Sequence, residues 1–236
     1  MLIGFSTGAL YKSKLSLKEK LALYEELDCR AVELNYIRIE DLLAVNVASF
    51  PVEELSSFEW VSLHAPVKIN YGATDSPTQE IFAKIEEVHK VRPLNLVVFH
   101  PETVVDFEPF KNAGFPVAFE NMDNRKDSHR SAEDLAKVLS LDDKFRFVLD
   151  VNHAYTNDKT MKLASELYKR AGHRLSEIHL SGYSTYHEPL HATRQLQIIH
   201  AIRDFETPII IESVLSPETL GAELQYIFQT IEWLRK

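Results

Sequence analysis

Cysteine and long apolar runs are both scarce in this sequence. Cys29 is the only cysteine among 236 residues, so no intramolecular disulfide can form, and such usage is typical of a reducing compartment. No apolar run approaches the length of a transmembrane helix, and the first residues lack the basic start and cleavage site of a signal peptide. We therefore expect a cytoplasmic protein without a membrane partner.

Positive charge is also scarce. The chain carries 26 Lys and Arg against 35 Asp and Glu, which gives a formal net charge of −9 at pH 7. Proteins whose whole surface follows nucleic acid depend on Lys and Arg contacts with phosphates, so this balance argues against that class. Bound divalent ions are an exception, because each ion adds two positive charges at the mouth of its site.

Short apolar segments alternate with longer amphipathic ones, which is typical of a parallel α/β fold. The predicted strands are 2–6, 31–34, 60–64, 95–100, 116–120, 145–150, 175–179 and 208–212. The predicted helices are 17–27, about 40–47, 77–91, a short one near 107–112, 131–139, 159–171, 191–205 and 217–235.

Eight units of this kind predict a single (β/α)8 TIM-barrel domain over residues 1–236, close to the usual ~250 residues. A doubly wound open sheet is the alternative. That fold normally has a glycine-rich phosphate loop after the first strand, and here the corresponding loop contains only Gly8.

Imidazoles and carboxylates end six consecutive predicted strands. In a barrel the carboxyl ends of all strands surround one mouth, so these side chains should converge there. All are ligand types for Zn²⁺ or Mn²⁺, and they exceed the three or four ligands of one catalytic zinc. The surplus predicts a cluster of two or three ions in which a carboxylate bridges neighbours ~3.5–4 Å apart. The set is His64, His100, Glu120, Asp150 with His153, His179 and Glu212.

Other polar residues have weaker claims to the site. Glu33 and Asn35, at the end of the second strand, can either line the mouth or cap the next segment of the chain. Glu102 is interpreted as a solvated loop charge. The histidines on predicted helices or loops are assigned to packing, namely His89, His129, His173 and His200.

Five short segments together resemble the xylose isomerase-like barrel superfamily, and within it the endonuclease IV family of zinc-dependent abasic-site endonucleases. The resemblance spans nearly the whole predicted barrel. The segments are Ser62-Leu-His64-Ala-Pro-Val-Lys-Ile-Asn70, Val97-Val-Phe-His100-Pro, Ala118-Phe-Glu120-Asn, Leu149-Asp150-Val-Asn-His153-Ala and Ile178-His179-Leu.

This resemblance implies a set of roles. His64 and His100 would hold one zinc, and Glu120 would bridge it to a second ion. The ligands that complete the second ion's shell would be Asp150, His179 and Glu212. The predicted catalytic carboxylates are therefore Glu120, Asp150 and Glu212.

A third ion would use His153. In the family that site is completed by an Asp-x-His in the loop after the seventh strand, and here neither His187 nor His191 has an Asp two residues before it. Glu188 with His187 or His191 could substitute.

The early loops also depart from the family. Relatives that act on DNA insert an aromatic residue and an arginine into the duplex, and the matching place here holds Val67 and Lys68. The predicted substrate-binding residues are Lys68, Arg38 and Lys126, and further basic residues on these loops are Lys12, Lys14 and Arg125.

Three functions are consistent with these patterns. The first is a metal-dependent phosphoester hydrolase of the endonuclease IV type, acting on abasic or damaged DNA or on a smaller phosphoester. The second is a one-metal sugar isomerase or epimerase that uses only Glu120, Asp150, His179 and Glu212. The third is a non-catalytic protein that binds a metal or ligand in an inherited pocket.

Overall fold

Eight parallel strands close into a barrel in the computed structural model, which describes residues 1–72 and 76–235. Each strand pairs with the next along the chain, and β1 pairs with β8. The predicted (β/α)8 fold is confirmed. The strands are β1 Ile3–Ser6, β2 Ala31–Asn35, β3 Trp60–His64, β4 Leu96–Phe99, β5 Val117–Glu120, β6 Arg146–Asp150, β7 Leu175–Leu180 and β8 Ile209–Ile211.

Helices cover the outside of the barrel. Among the described residues, none of the helices is long and apolar enough to cross a membrane. The α-helices are α1 Leu17–Glu26, α2 Ile39–Leu43, α3 Val52–Leu55, α4 Ser76–Val91, α5 Glu108–Lys111, α6 Ala132–Leu139, α7 Val151–Asn157, α8 Lys162–Ala171, α9 Leu190–Thr193, α10 Leu196–His200 and α11 Leu220–Leu234. Short 3₁₀ turns occur at Thr7–Leu10, Val47–Ser49, Pro101–Thr103, Gly172–Arg174 and Pro217–Thr219.

Two predicted helices need correction, and two observed helices were not predicted. The segment 40–47 is helical only to Leu43, and the next helix, α3, was not predicted. The predicted helix 191–205 is two short helices, because Arg194 between them has a left-handed backbone with φ of 56°. Helix α7 was also missed, since a helix that starts directly at a strand end leaves no loop in the sequence pattern.

Alternation along the strands determines which side chains enter the barrel. Inside the barrel, Leu96, Val98, Ala118 and Val148 form a small buried cluster against Trp60. The larger core cluster, which includes Leu63, Val97, Phe119 and Leu149, takes the intervening strand positions. The next inward positions after the small cluster, in the same two-residue period, are occupied by His64, His100, Glu120 and Asp150.

Candidate metal centre

Glu120 lies at the centre of the barrel mouth, with its two carboxylate oxygens directed toward different ligands. Its Oε2 lies 3.6 Å from His64 Nε2 and 3.2 Å from His100 Nε2. Its Oε1 lies 3.4 Å from His179 Nδ1. Glu120 therefore belongs to two groups at once, the His64 group and the His179 group.

Each group has ligand atoms that approach closely enough to hold one ion. In the His64 group, one atom each from His64, His100 and Glu120 lies within 4.8 Å of the others. In the His179 group, atoms from Glu120, Asp150, His179 and Glu212 satisfy the same limit. The Glu212 Oε1 atom lies 3.6 Å from His179 Nδ1. These are the two ligand sets that the sequence predicted for two ions.

Three histidines have one ring nitrogen against an oxygen, so the other nitrogen faces the cluster. His64 Nδ1 lies 3.0 Å from the carbonyl of Ala65, and His153 Nδ1 lies 2.8 Å from the carbonyl of Asn121. His179 Nε2 lies 3.0 Å from Glu177 Oε1. Such an oxygen partner fixes the tautomer and orients the ring of a metal-ligating histidine.

Asp150 joins β6 to α7 and serves two purposes. Its Oδ1 accepts a hydrogen bond from the His153 backbone N–H at 2.8 Å, which caps the N-terminus of α7. Its Oδ2 is buried without a hydrogen-bond partner in the described part of the chain. The cap therefore positions Asp150 and leaves Oδ2 available to a ligand.

Other buried polar atoms in the cluster also lack hydrogen-bond partners among residues 1–72 and 76–235. They include both carboxylate oxygens of Glu120, Glu33 Oε2 and the Nδ1 atom of His179. A buried polar atom without a partner is costly, so native proteins rarely leave several together. Cations in the His64 group and the His179 group would satisfy the two Glu120 oxygens and His179 Nδ1, and the donor set fits Zn²⁺ or Mn²⁺.

The cluster carries more buried negative charge than its side chains can balance. Five carboxylates meet there, those of Glu33, Glu120, Asp150, Glu177 and Glu212, and none of them pairs with a Lys or Arg among the described residues. Their partners are histidines, which are fewer than the carboxylates that they contact, and buried carboxylates in excess are unfavourable unless cations compensate them. The charge balance therefore favours more than one divalent ion.

The pKa values of the clustered carboxylates also indicate an excess of negative charge. Burial raises the pKa of Asp150 to about 6, and neighbouring Glu120 adds to this effect. Burial also raises the pKa of Glu212 well above its ordinary value. By contrast, the pKa of Glu120 is well below its ordinary value despite burial, because His153, His179 and His100 surround it. Without cations the site cannot ionise all of its carboxylates.

Two carboxylates in the barrel interior contact His179 beneath the cluster. Glu177 and Glu33 are fully buried, and Glu33 Oε2 lies 3.2 Å from His179 Nε2. Ser6 donates to Glu33, and the indole N–H of Trp60 donates to Glu177. The sequence allowed two roles for Glu33, and Glu177 was missed. The sequence did contain a signal for Glu177. It lies two residues before His179 in the same strand, and side chains at that spacing point to the same face.

The surroundings of His153 differ from the predicted third ion site. His153 Nε2 lies 3.5 Å from Asp150 Oδ2 and 3.8 Å from Asp123 Oδ2, and Asp123 was not singled out from the sequence. The His187 ring centroid lies 5.8 Å from that of His153. Asp123 is the carboxylate near His153 that belongs to neither group, and its charge is already neutralised by Arg125.

Two residues that could have completed the third ion site, His191 and Glu188, contact other residues instead. His191 Nδ1 lies 2.7 Å from Glu223 Oε2 on α11, and His191 is not among the described residues that line the cavity at the barrel mouth. Glu188 accepts backbone hydrogen bonds from its own loop, at Ser184, Thr185 and Tyr186. Burial lowers the pKa of His187 to about 3, so its ring is neutral at physiological pH.

The cavity above the cluster has a volume of about 510 Å³. Asn35, Val67, Arg125 and Lys126 help to line it, whereas Lys68 and Arg38 are not among its described lining residues. Lys126 pairs with Glu102.

The interpretation of Glu102 as a solvated loop charge is wrong. Its Oε1 lies 3.5 Å from His100 Nδ1, and its side chain is mostly buried. Although burial alone would lower the pKa of His100, its contacts with Glu102 and Glu120 raise that pKa to about 9. Glu102 therefore positions a residue of the His64 group.

Comparison with known proteins identifies solved structures of the same fold. No protein-family model matches the chain, and no curated protein sequence matches it. A D-tagatose 3-epimerase-like protein superimposes with a TM-score of 0.75 and 16% identity, over 100% of this chain and 98% of that one. Endonuclease IV from Thermus thermophilus gives 0.73 and 18%, over 98% and 99%. The probable 3-DHS dehydratase AsbF from Bacillus anthracis gives 0.73 and 14%, over 97% and 99%.

Proposed function

We propose that this chain, which has the xylose isomerase-like TIM-barrel fold, is a phosphoester hydrolase that uses two divalent ions. The observation that carries the proposal is the orientation of Glu120, whose Oε2 faces His64 and His100 while its Oε1 faces His179. This division of the two oxygens is what a carboxylate needs in order to bridge two ions with one oxygen on each.

Each proposed ion has its own ligands besides Glu120. His64 and His100 would hold the first ion, and two imidazoles suit zinc. The second ion would be held by Asp150, His179 and Glu212. We propose two ions and not three, because Arg125 neutralises Asp123 and His191 is engaged by Glu223.

Two divalent ions held by these residues would supply an activated water for attack on phosphorus and would stabilise charge on the entering and leaving oxygens. The surrounding residues of the chain hold the proposed ligands in position and keep water out of the site. Glu177 and Glu33 hold His179 from below, Asn121 and Ala65 fix the rings of His153 and His64, and Glu102 contacts His100. Burial of these groups strengthens every electrostatic interaction within the site.

A sugar isomerase or epimerase is the second candidate, supported by the epimerase-like structure of the same fold. Such an enzyme would need only the His179 group, with its carboxylates moving a proton next to a carbonyl. Under the isomerase hypothesis His64 and His100 would only hydrogen-bond sugar hydroxyls, a role that does not require both rings to converge on Glu120. We therefore favour the hydrolase.

Replacing His100 with Ala distinguishes the two candidates. Loss of this ligand should reduce phosphoester hydrolysis by at least ~10²-fold, since even loss of an outer partner of a metal ligand costs about 10–100-fold. Bound metal should fall from two equivalents to one. Both quantities can be measured on one preparation, with bis(p-nitrophenyl) phosphate as substrate and elemental analysis for the metal.

His200→Ala is the matched control, because His200 is exposed and stacks on Trp233 outside the cavity. This variant should keep both metal and activity. An active His100→Ala protein with unchanged metal content would remove His100 from the essential ligands. Unchanged protein that holds one equivalent of metal and hydrolyses no phosphoester would favour the one-ion isomerase.

A further inference from the structure

Exposed aromatic rings border the cavity above the proposed ions. Among the described residues, nine large hydrophobic side chains are exposed, and three of these line this one cavity. They are Tyr11, 59% exposed, Ile37, 39% exposed, and Tyr186, 45% exposed. Large apolar groups in water at the mouth of a polar site indicate a ligand with an apolar or planar part.

Tyr186 is held in place before any ligand binds. Its backbone N–H donates to Glu188, 3.0 Å away, which anchors the loop after β7. The Tyr186 ring lies edge-on against His187, with centroids 4.5 Å apart, and the Arg125 guanidinium lies 5.2 Å from the ring centroid. A fixed ring loses little conformational freedom on stacking, so it suits a binding platform.

Tyr186 is connected to the cluster through neighbouring rings. His187, against which Tyr186 packs, lies 5.8 Å from His153, and His153 Nδ1 lies 3.3 Å from Glu120 Oε1. Tyr11 projects from the loop after β1 and lines the same cavity. Glu120 and these two tyrosines therefore line the same cavity, so one ligand can contact both the proposed ions and the rings.

Three of the basic residues near the mouth already pair with carboxylates, which weakens the case for a long polyanion. Arg125 is paired with Asp123, and Lys126 is paired with Glu102. Arg38 lies 3.7 Å from carboxylate oxygens of both Glu40 and Asp41. Binding of nucleic acid depends mainly on Lys and Arg that neutralise phosphates, and these three side chains already have anionic partners.

The size of the cavity also favours a small ligand. Its volume of about 510 Å³ lies within the usual range for sites that bind small molecules. Val67 lines this cavity and offers no aromatic ring. A single nucleotide combines a phosphate for the ions, a sugar and a flat base, which matches the layout of the site.

We propose that the substrate is a mononucleotide-sized phosphoester whose nucleobase stacks on Tyr186 and Tyr11. This inference rests on the proposed hydrolase function, since it places the phosphate at the two ions. It assigns recognition of the base to a pair of tyrosines from the loops after β1 and β7. Stacking on aromatic rings accepts any base, so little preference among the four bases is expected.

Two ligands that cannot be hydrolysed test the inference on zinc-loaded protein. One is the phosphonate analogue of AMP, in which a CH₂ group replaces the ester oxygen, and the other is the same ribose phosphonate without the base. Calorimetry should show the base-bearing ligand binding about 5- to 150-fold more tightly, the range measured for stacking of a base on an aromatic side chain. Equal affinities would overturn the inference.

Substitutions test whether Tyr11 and Tyr186 cause the preference for the base-bearing ligand. Tyr11→Leu with Tyr186→Leu removes both flat faces but keeps apolar side chains, and it should erase most of the preference without weakening the ribose phosphonate. Trp233→Leu, an exposed position on α11 outside the cavity lining, is the matched control and should retain the preference. A double tyrosine variant with the full preference would contradict the role of these rings.

Hydrolysis of bis(p-nitrophenyl) phosphate separates this inference from the function beneath it. If the protein prefers the base-bearing ligand but hydrolyses no phosphoester, the proposed nucleotide subsite stands and the proposed hydrolase function is wrong. Hydrolysis without any base preference would leave the hydrolase and reject the subsite.

Discussion

Glu120→Gln is expected to reduce phosphoester hydrolysis by more than ~10²–10³-fold, the scale for removing one electrostatic group from a preorganised site. Gln keeps the shape of the side chain but removes the negative charge and leaves only one acceptor oxygen. Because both proposed ions would depend on Glu120, neither the His64 group nor the His179 group would be complete. Steady-state kinetics with bis(p-nitrophenyl) phosphate would measure the loss, and elemental analysis should show less than two equivalents of metal.

Glu133→Gln is the matched control for this substitution. Glu133 is an exposed residue on α6 that pairs with Lys137, so the same chemical change there affects only a surface ion pair. We expect full activity from it. Hydrolysis by Glu120→Gln at a rate close to that of the unchanged protein would contradict a bridging role for Glu120.

Removal of metal should lower the thermal stability substantially. Ions that bind only the folded protein stabilise it, by about 4 kcal/mol for a site at a thousand times its Kd. For a chain of this size each kcal/mol corresponds to roughly 2–4 °C, so chelation should lower Tm by roughly 10 °C or more. The physical reason is the group of four buried carboxylates, with Glu212 mostly buried beside them, which would lose its compensating charge.

Differential scanning calorimetry with and without a chelator measures this change. Returning Zn²⁺ or Mn²⁺ should restore Tm, whereas Glu120→Gln protein should respond less to the chelator because it binds less metal. An unchanged Tm after verified metal removal would mean that the buried carboxylates are balanced by protons alone, and the proposed cation cluster would be wrong.

The barrel and the convergence of its strand ends were predictable because they depend on local periodicity. Alternation in β3 places His64 in the inward row with Ser62 and Trp60, and the same period places Asp150 in line with Val148. Strands of this kind end at the same mouth whatever the detail of the helices outside. His100 and Glu212 lie one residue beyond β4 and β8, so small errors in strand bounds did not matter.

Contacts between distant segments were not predictable in the same way. Glu223 on α11 accepts hydrogen bonds from Leu190 and His191 on α9, and nothing in the sequence near His191 indicates this partner. The proximity of Asp123 to His153 depends on how the loop after β5 meets α7. Glu177 is different, because the two-residue period before His179 was a usable signal.

The count of metal ions per chain tests the two-ion proposal most directly. Protein purified without a metal-binding tag or chelator should contain two equivalents of zinc or manganese by elemental analysis, one for the His64 group and one for the His179 group. A single equivalent, unchanged when metal is supplied in excess, would contradict a bridging Glu120 and leave the one-ion isomerase as the better account.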